Sequence, residues 1–176
     1  MTVTVPVTID DTAWTGAVAT PARRVARIVR RALKEACPGL GAATVSVLLT
    51  GDERQRTLNC DWRGKDASTN VLSFPTLDLA AGTVPAPEFA GVPLELGDLS
   101  LAFETCAREA REQGKPLEHH LDHLVIHGVL HLLGYDHVDE HDAAIMEPLE
   151  VKILSGLGIP DPYLSLAAVP ELAADD

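Results

Sequence analysis

One segment constrains the fold of this chain more than any other, HGVLHLLGYDH at residues 127–137. His127 and His131 are four residues apart, so on an α-helix their imidazoles lie one turn apart on nearly the same face. Gly134 can end that helix in a left-handed conformation, and the turn can bring His137 back to the same point. Three neutral imidazoles leave a fourth tetrahedral position open, as in catalytic zinc sites. The sequence therefore predicts one Zn²⁺ ion per chain, bound by His127, His131 and His137.

The ligand spacing HxxxHxxGxxH matches the zinc-binding frame of metzincin proteases at each ligand position, which predicts a metzincin-like zinc helix. Those proteases require HExxH, in which the glutamate is the general base. Gly128 stands at that position here and has no side chain that could move a proton. A metallopeptidase therefore remains only a minor alternative for this site.

Four further histidines lie near this segment: His119, His120, His123 and His141. His119 and His123 continue the four-residue spacing, and His123 could pair with His127 as a rival pair of ligands. Each four-residue step drifts by about 40° around a helix, so three successive members cannot aim equally well at one ion. We expect these four to pack, to support the ligands or to face solvent, with His123 as a candidate proton carrier or orienting partner.

A second polar group lies in NCDWRGKDASTNVLSFP, residues 59–75. Arg63 and Lys65 flank the flexible Gly64, and a guanidinium beside an ammonium suits a phosphate oxyanion, although an ordinary polar turn would explain the same residues. Asp98 lies inside the otherwise apolar segment LGDLSL. Its carboxylate could face solvent, cap a backbone group, or orient a histidine or the water on the metal.

Charge is distributed unevenly along the chain, whose net charge is −12. Residues 1–65 carry ten Lys/Arg and six Asp/Glu, a balance of +4, whereas residues 66–176 have a balance of −16. A predicted helix at residues 21–36 holds most of the positive charge beside an apolar stripe. This basic face is either simply solvated or a surface for RNA or ribosome contact. Its residues are Arg23, Arg24, Arg27, Arg30, Arg31 and Lys34.

Strand patterns come early in the chain and helix patterns late. Strands are predicted at 2–9, 43–49, 70–74 and 96–101, and helices at 21–36, 52–61, 103–113, 117–133 and 139–154. Thr20 should cap the first helix, and Pro148 should kink or split the last. The predicted fold class is α+β, a small mixed β-sheet of about four strands packed with about five helices. We expect a single domain over residues 1–176, with a long loop at 76–95 and a frayed tail at 164–176.

Cysteine usage and hydropathy predict a cytoplasmic protein without a membrane partner. Cys37, Cys60 and Cys106 are odd in number, widely spaced and form no CxxC, which favours reduced and mostly buried thiols. No apolar run approaches the roughly 20 residues that span a bilayer. Residues 1–10 lack the pattern of a signal peptide.

Taken together, WRGKDASTNVLSFP, LGDLSLA, HGVLHLLGYDH and the DPY at residues 161–163 resemble the YbeY family of bacterial rRNA-maturation endoribonucleases. The resemblance extends from about residue 45 to residue 163. It implies a compact α+β fold, one zinc ion on His127, His131 and His137, and an arginine needed for activity at Arg63. It also implies maturation of the 3′ end of 16S rRNA and a part in ribosome quality control. The implied partners are precursor small-subunit rRNA and the ribosome or small-subunit proteins.

These features predict a metal-dependent endoribonuclease acting on single-stranded RNA. His127 would act through the metal, which would either hold a water molecule as the nucleophile or serve as a Lewis acid. Arg63 would stabilise charge in the transition state. Arg63 and Lys65 would bind substrate. The general base stays open among metal hydroxide, the RNA 2′-hydroxyl, His123 and Asp98. The main alternative is a ribosome-assembly or interaction factor in which zinc is mainly structural.

Overall fold

A computed structural model describes residues 1–164, in which a five-stranded sheet packs with six helices. The α+β class and the mixed sheet are confirmed, and the predicted tail lies outside the described residues from 165 onward. The strands are β1 Val3–Thr4, β2 Val7–Ile9, β3 Ala43–Thr50, β4 Val71–Pro75 and β5 Leu94–Ala102. The helices are α1 Ala13–Ala17, α2 Pro21–Ala36, α3 Asp52–Arg63, α4 Phe103–Glu112, α5 Leu117–Leu132 and α6 Glu140–Ser155.

The sheet has β3 at its centre, with β1 and β2 parallel to it on one side and β5 parallel on the other. β4 runs antiparallel to β5 and forms the far edge. Leu99 of β5 points toward α5, where its side chain closely approaches Gly128. Because side chains alternate along a strand, Ser100 points the other way, and its hydroxyl donates to Gln55 of α3 at 2.6 Å. The sheet thus has an α5 face and an α3 face.

Two elements near the N-terminus differ from the sequence prediction. The single strand expected at residues 2–9 is divided into β1 and β2 at Pro6, which has no N–H to continue a ladder. Helix α1 was not predicted, because five residues show too little periodicity. It is anchored by Trp14, which is fully buried and donates from Nε1 to the Thr50 carbonyl at 2.9 Å.

The predicted cap at Thr20 and the predicted split at Pro148 were wrong, whereas the alternative of a kink at Pro148 stays a prediction. Thr20 precedes α2 in a left-handed conformation, with φ of 44°, and its side chain makes no capping hydrogen bond. Helix α6 is not split but continues through Pro148. Pro148 and Ala144, the residue four positions earlier, are both exposed, so water can bind the carbonyl that the proline leaves unpaired.

Residues 76–93 connect β4 to β5 without a helix or strand. Part of this connection is fixed by packing, since the Leu79 backbone lies against Gly134 just beyond the end of α5. Within residues 1–164, the helices are too short or too polar to cross a bilayer.

Candidate metal centre

Three imidazoles converge beside the C-terminal end of α5. His127 and His131 lie one turn apart on this helix, and His137 follows it in the next turn of chain. The ring centroids are 4.6 Å apart for His127 and His131, 5.0 Å for His127 and His137, and 5.1 Å for His131 and His137. One ligand nitrogen from each ring lies within 4.8 Å of the other two. The near-equilateral arrangement places all three nitrogens around a single point.

Gly134 makes the turn that returns His137 to α5. Its φ is 84°, in the left-handed region that favours glycine. A Cβ at this residue would also lie 2.0 Å from the Leu79 carbonyl oxygen, so a larger residue would displace the 76–93 connection. After the turn, the His137 N–H donates to the Asp136 carboxylate at 2.7 Å. The predicted glycine turn is therefore present and has a packing reason as well as a conformational one.

Glu150 of α6 is a candidate functional residue that the sequence did not reveal. Its side chain is 0% exposed, and its Oε1 accepts a hydrogen bond from His127 Nδ1 at 2.6 Å. The Tyr163 hydroxyl donates to the other oxygen. A proton held on Nδ1 leaves the His127 Nε2 lone pair for a cation, which is how carboxylates commonly orient metal-binding histidines.

The ionisation of these groups suits a cation between the rings. Burial, followed by the charges of His127 and His137, lowers the pKa of His131 to about 4, so its ring is neutral at pH 7. Burial would raise the pKa of Glu150, but the imidazoles of His123 and His127 outweigh it and hold the pKa below its usual value. His127 Nε2 and His131 Nε2 are 3.1 Å apart. Nitrogens bound to one tetrahedral zinc are about 3.3 Å apart, so the pair fits such an ion.

Gly128 packs directly against the α5 face of the sheet. A Cβ there would lie 2.8 Å from Leu99 Cδ2 and 3.2 Å from Ser73 Oγ. A glutamate at this position would have to push the helix off the sheet or displace Leu99 and Ser73. The geometry therefore supports the exclusion of a metzincin-type peptidase base.

The histidines upstream on α5 lie outside the three-ring group. His123 Nε2 is 3.5 Å from Glu150 Oε2, so His123, His127 and Glu150 form a second group of potential ligands. His120 is buried and bonds to Glu109 through Nε2 at 2.7 Å, whereas His141 is exposed. A cavity of about 410 Å³ extends from His127 and His137 past His123 to His120. His123 is thus placed beside the three candidate metal ligands, as expected of a supporting residue.

Arg63 and Asp98 are placed away from the three imidazoles. Arg63 is the last residue of α3, and its Nη2 donates to the Ser73 carbonyl of the edge strand β4 at 3.0 Å. The Ser73 hydroxyl donates to the Gly128 carbonyl at 3.4 Å, which links Arg63 to α5 through one strand. Asp98 is exposed on the α3 face, opposite α5. Lys65 is exposed just beyond the left-handed Gly64.

Half of the predicted basic face on α2 is engaged within the protein. Arg24 binds Asp122 of α5 with two hydrogen bonds, of 2.8 and 2.7 Å. Arg30 donates to the Val3 carbonyl at 3.1 Å, and Arg31 pairs with a glutamate one turn later. Arg23, Arg27, Arg30 and Lys34 are exposed. The surface charge offered to a partner is therefore smaller than the six basic residues indicate.

Comparisons with known proteins agree in family and in fold. Residues 9–158 match the family described as Endoribonuclease YbeY. A protein named Endoribonuclease YbeY from Paramagnetospirillum magneticum is 50% identical over 165 residues, covering 93% of this chain and 98% of that protein. The protein of the same name from Jannaschia sp. is 54% identical over 120 residues, covering 68% of this chain and 75% of that protein. The solution structure of a Thermotoga maritima protein is similar in fold, with a TM-score of 0.50 at 20% identity, covering 92% of this chain and 99% of that one.

Proposed function

The chain belongs to the endoribonuclease YbeY family, and we propose that it cleaves single-stranded RNA with one zinc ion bound by His127, His131 and His137. The observation that carries the proposal is the convergence of three imidazole nitrogens around one point, with Glu150 directing one of them. The endoribonuclease names of relatives at about 50% identity support RNA as the substrate. One hydrophobic core includes residues from β1 to α6, which supports a single working domain.

The roles of the protein groups follow from their positions. When bound, zinc would supply a Lewis acid for a phosphoryl oxygen and would lower the pKa of water. Glu150 would keep His127 in the tautomer that binds the ion, and Tyr163 would hold Glu150 in place. Arg63 uses one N–H on Ser73 and has others for a phosphate. Because it lies at the edge strand, away from the three imidazoles, its position supports binding of the RNA backbone, with Lys65 nearby. Its predicted effect on the transition state would act through the placement of the bound strand.

The proton acceptor is the next part of the proposal. His123 lines the cavity that reaches the metal ligands and lies 3.5 Å from Glu150, which supports it as an assistant. Asp98 points to the opposite face of the sheet, so its position supports a role in substrate contact rather than in proton transfer. The RNA 2′-hydroxyl as nucleophile would give a cyclic phosphate, and attack by water a linear phosphate end.

The proposed substrate is precursor small-subunit rRNA, in maturation of the 16S 3′ end and in ribosome quality control. Small-subunit proteins would be the protein partners, with Arg23, Arg27, Arg30 and Lys34 as the exposed part of the docking face. A cytoplasmic location belongs to the same proposal, since precursor rRNA is processed where ribosomes assemble. All three cysteines are free thiols in the structure, which suits a reducing compartment.

The test is a cleavage assay on short single-stranded and duplex RNA with purified protein, a chelator and added Zn²⁺. We expect cleavage of the single strand, loss with chelator and recovery with zinc. Arg63→Ala should lower kcat/KM about 100-fold, because a lost charged hydrogen bond to a phosphate costs roughly 3 kcal/mol. Arg56→Ala is the matched control, since Arg56 lies on the same helix in an exposed ion pair with Asp66.

Circular dichroism separates this function from the alternative. Native spectra with loss of cleavage on metal removal support the enzyme. Unfolding on metal removal, together with no cleavage by the metal-loaded protein, would contradict it and favour an assembly factor with a structural zinc.

A further inference from the structure

A groove of about 750 Å³ lies on the α3 face of the sheet, on the side away from the metal centre. Helix α3 covers only part of this face, and the rest is left open beside its C-terminal end. Paired positions across β3, β5 and β4 place Ser46, Asp98 and Phe74 in one row along the floor. Its lining includes Ser46, Leu48, Trp62, Arg63, Phe74 and Asp98.

Trp62 at the rim of this groove is unusually exposed for its type. Its exposed fraction is 72%, whereas Trp14, the other tryptophan of the chain, is fully buried. The Trp62 ring meets Phe74 edge-on, with centroids 6.1 Å apart and planes at 63°, so much of its surface is left for another partner. A large aromatic surface held in water beside a polar groove is typical of a binding site.

A positive charge at this groove lies beside Trp62, on the side of the edge strand. Arg63 is adjacent to Trp62 and binds the Ser73 carbonyl on β4. Ser73 faces α5 at Gly128, the neighbour of the ligand His127, so the groove and the metal centre lie on the two faces of one edge strand. Asp98 in the floor repels phosphates and would favour bases over the backbone in the interior of the groove.

We propose that this groove is a subsite for single-stranded RNA, in which a base stacks on Trp62 and an adjacent phosphate contacts Arg63. The strand then passes around β4 to the metal centre. Sequence-tolerant RNA binding commonly combines an aromatic surface for the bases with cations along the backbone. Continuity with the metal centre through Arg63 favours RNA over a protein partner. The inference rests on the proposed function in its choice of substrate.

The two tryptophans allow a direct test with metal-loaded protein and a 2′-O-methyl RNA oligonucleotide of about eight nucleotides. We expect the RNA to quench the emission of exposed Trp62 and to leave that of Trp14 unchanged. Anisotropy of a labelled oligonucleotide should show about tenfold weaker binding for Trp62→Ala and less than about threefold for Trp62→Phe, which keeps a stacking ring. Phe89→Ala is the matched control, since Phe89 is 65% exposed on the 76–93 connection, and should bind as the parent does.

Equal affinity of the parent and Trp62→Ala, or no quenching of Trp62, would overturn the subsite. Quenching by RNA-free small-subunit ribosomal proteins, with none by the oligonucleotide, would overturn it in favour of a protein-binding face. Cleavage is scored separately on an unmodified single strand. If the parent protein cleaves RNA but Trp62→Ala binds the oligonucleotide as tightly as the parent, only the subsite is refuted. If the parent binds the oligonucleotide through Trp62 but does not cleave RNA, only the proposed nuclease is refuted.

Discussion

Helices α2 and α5 have the same length of 16 residues, and each displays a cluster of one chemical type. On α5, two histidines join a third from the following turn at one point. On α2, six basic residues share one face of the helix without meeting at a point, and three of them bind groups within the protein. A sequence spacing that brings side chains to one point is therefore stronger evidence of a binding site than a large number of residues of one type. The following changes test this difference.

The largest effect should come from removing a ligand. We expect His131→Ala to lose zinc binding and to lower kcat by about 1000-fold or more, because two imidazoles cannot hold the ion. Metal content by mass spectrometry and initial cleavage rates measure this. His141→Ala, an exposed histidine on α6, should match the parent in both. Full zinc content in His131→Ala would remove that ring from the ligand set.

The next effect concerns stability and separates Arg24 from its neighbours. Arg24→Ala should lower the free energy of unfolding by about 2–3 kcal/mol, since it leaves the buried Asp122 carboxylate without its guanidinium. Arg27→Ala, exposed on the same helix, should cost less than about 0.5 kcal/mol. Urea denaturation measures both. An equal loss of stability in the two variants would mean that the Arg24–Asp122 ion pair stabilises the fold no more than an exposed arginine of the same face.

A smaller effect should follow when the support of a ligand is altered. Glu150→Gln should weaken zinc affinity about 10- to 100-fold, because the amide is a poorer acceptor for the His127 N–H. Competition with a chromogenic chelator gives the affinity. Glu147→Gln is the control, one turn earlier in the same cavity. An unchanged affinity for Glu150→Gln would show that His127 needs no carboxylate to orient it.

The pH dependence of the metal-free protein offers a further test of the α5 site. His131 has a pKa of about 4 when folded and 6.5 as a free side chain. Between these values the unfolded chain binds more protons, so stability falls as the pH is lowered from 6.5 to 4. Because the ring is partly exposed, we expect about a tenfold change in the unfolding constant. His131→Leu should flatten this part of the curve, measured by urea denaturation at each pH.

The smallest effect should come from the exposed part of the basic face. The combined change Arg23→Ala, Arg27→Ala and Lys34→Ala should weaken binding of single-stranded RNA about threefold at moderate salt and less at 0.5 M salt. Filter binding across salt concentrations measures this. A loss of RNA affinity as large as that of an Arg63 variant would identify α2 as a principal RNA-binding surface. The difference drawn between α2 and α5 would then not hold.

The sequence predicted those features that depend on local periodicity. Helix α2 has the predicted bounds, and the Gly134 turn follows α5 as expected. Glu150 was not predicted, because the partner of its carboxylate depends on how α6 packs against α5. A signal was present, since Met146, Ile153 and Leu154 place Glu150 on the buried stripe of its helix. A lone carboxylate on an apolar stripe identifies a partner only when the facing helix is known.

The placement of Asp98 shows the same limit. Its position in an apolar strand did not show whether the Asp98 side chain would face the histidines. Once the register of the strand is known, the alternation of side chains along it gives the face on which Asp98 lies. The division of the first strand at Pro6 could have been predicted from the sequence, because proline has no N–H to donate to a neighbouring strand.

The contact of Gly128 with the sheet also constrains the evolution of this site. A single codon change that introduces glutamate would not convert the nuclease into a peptidase, because Leu99 and Ser73 occupy the space that the new side chain needs. A lineage moving between the two chemistries would first have to lose volume on β4 and β5 and tolerate a loosened core. The two activities are therefore separated by at least one intermediate of lowered stability, although the histidine spacing is common to both.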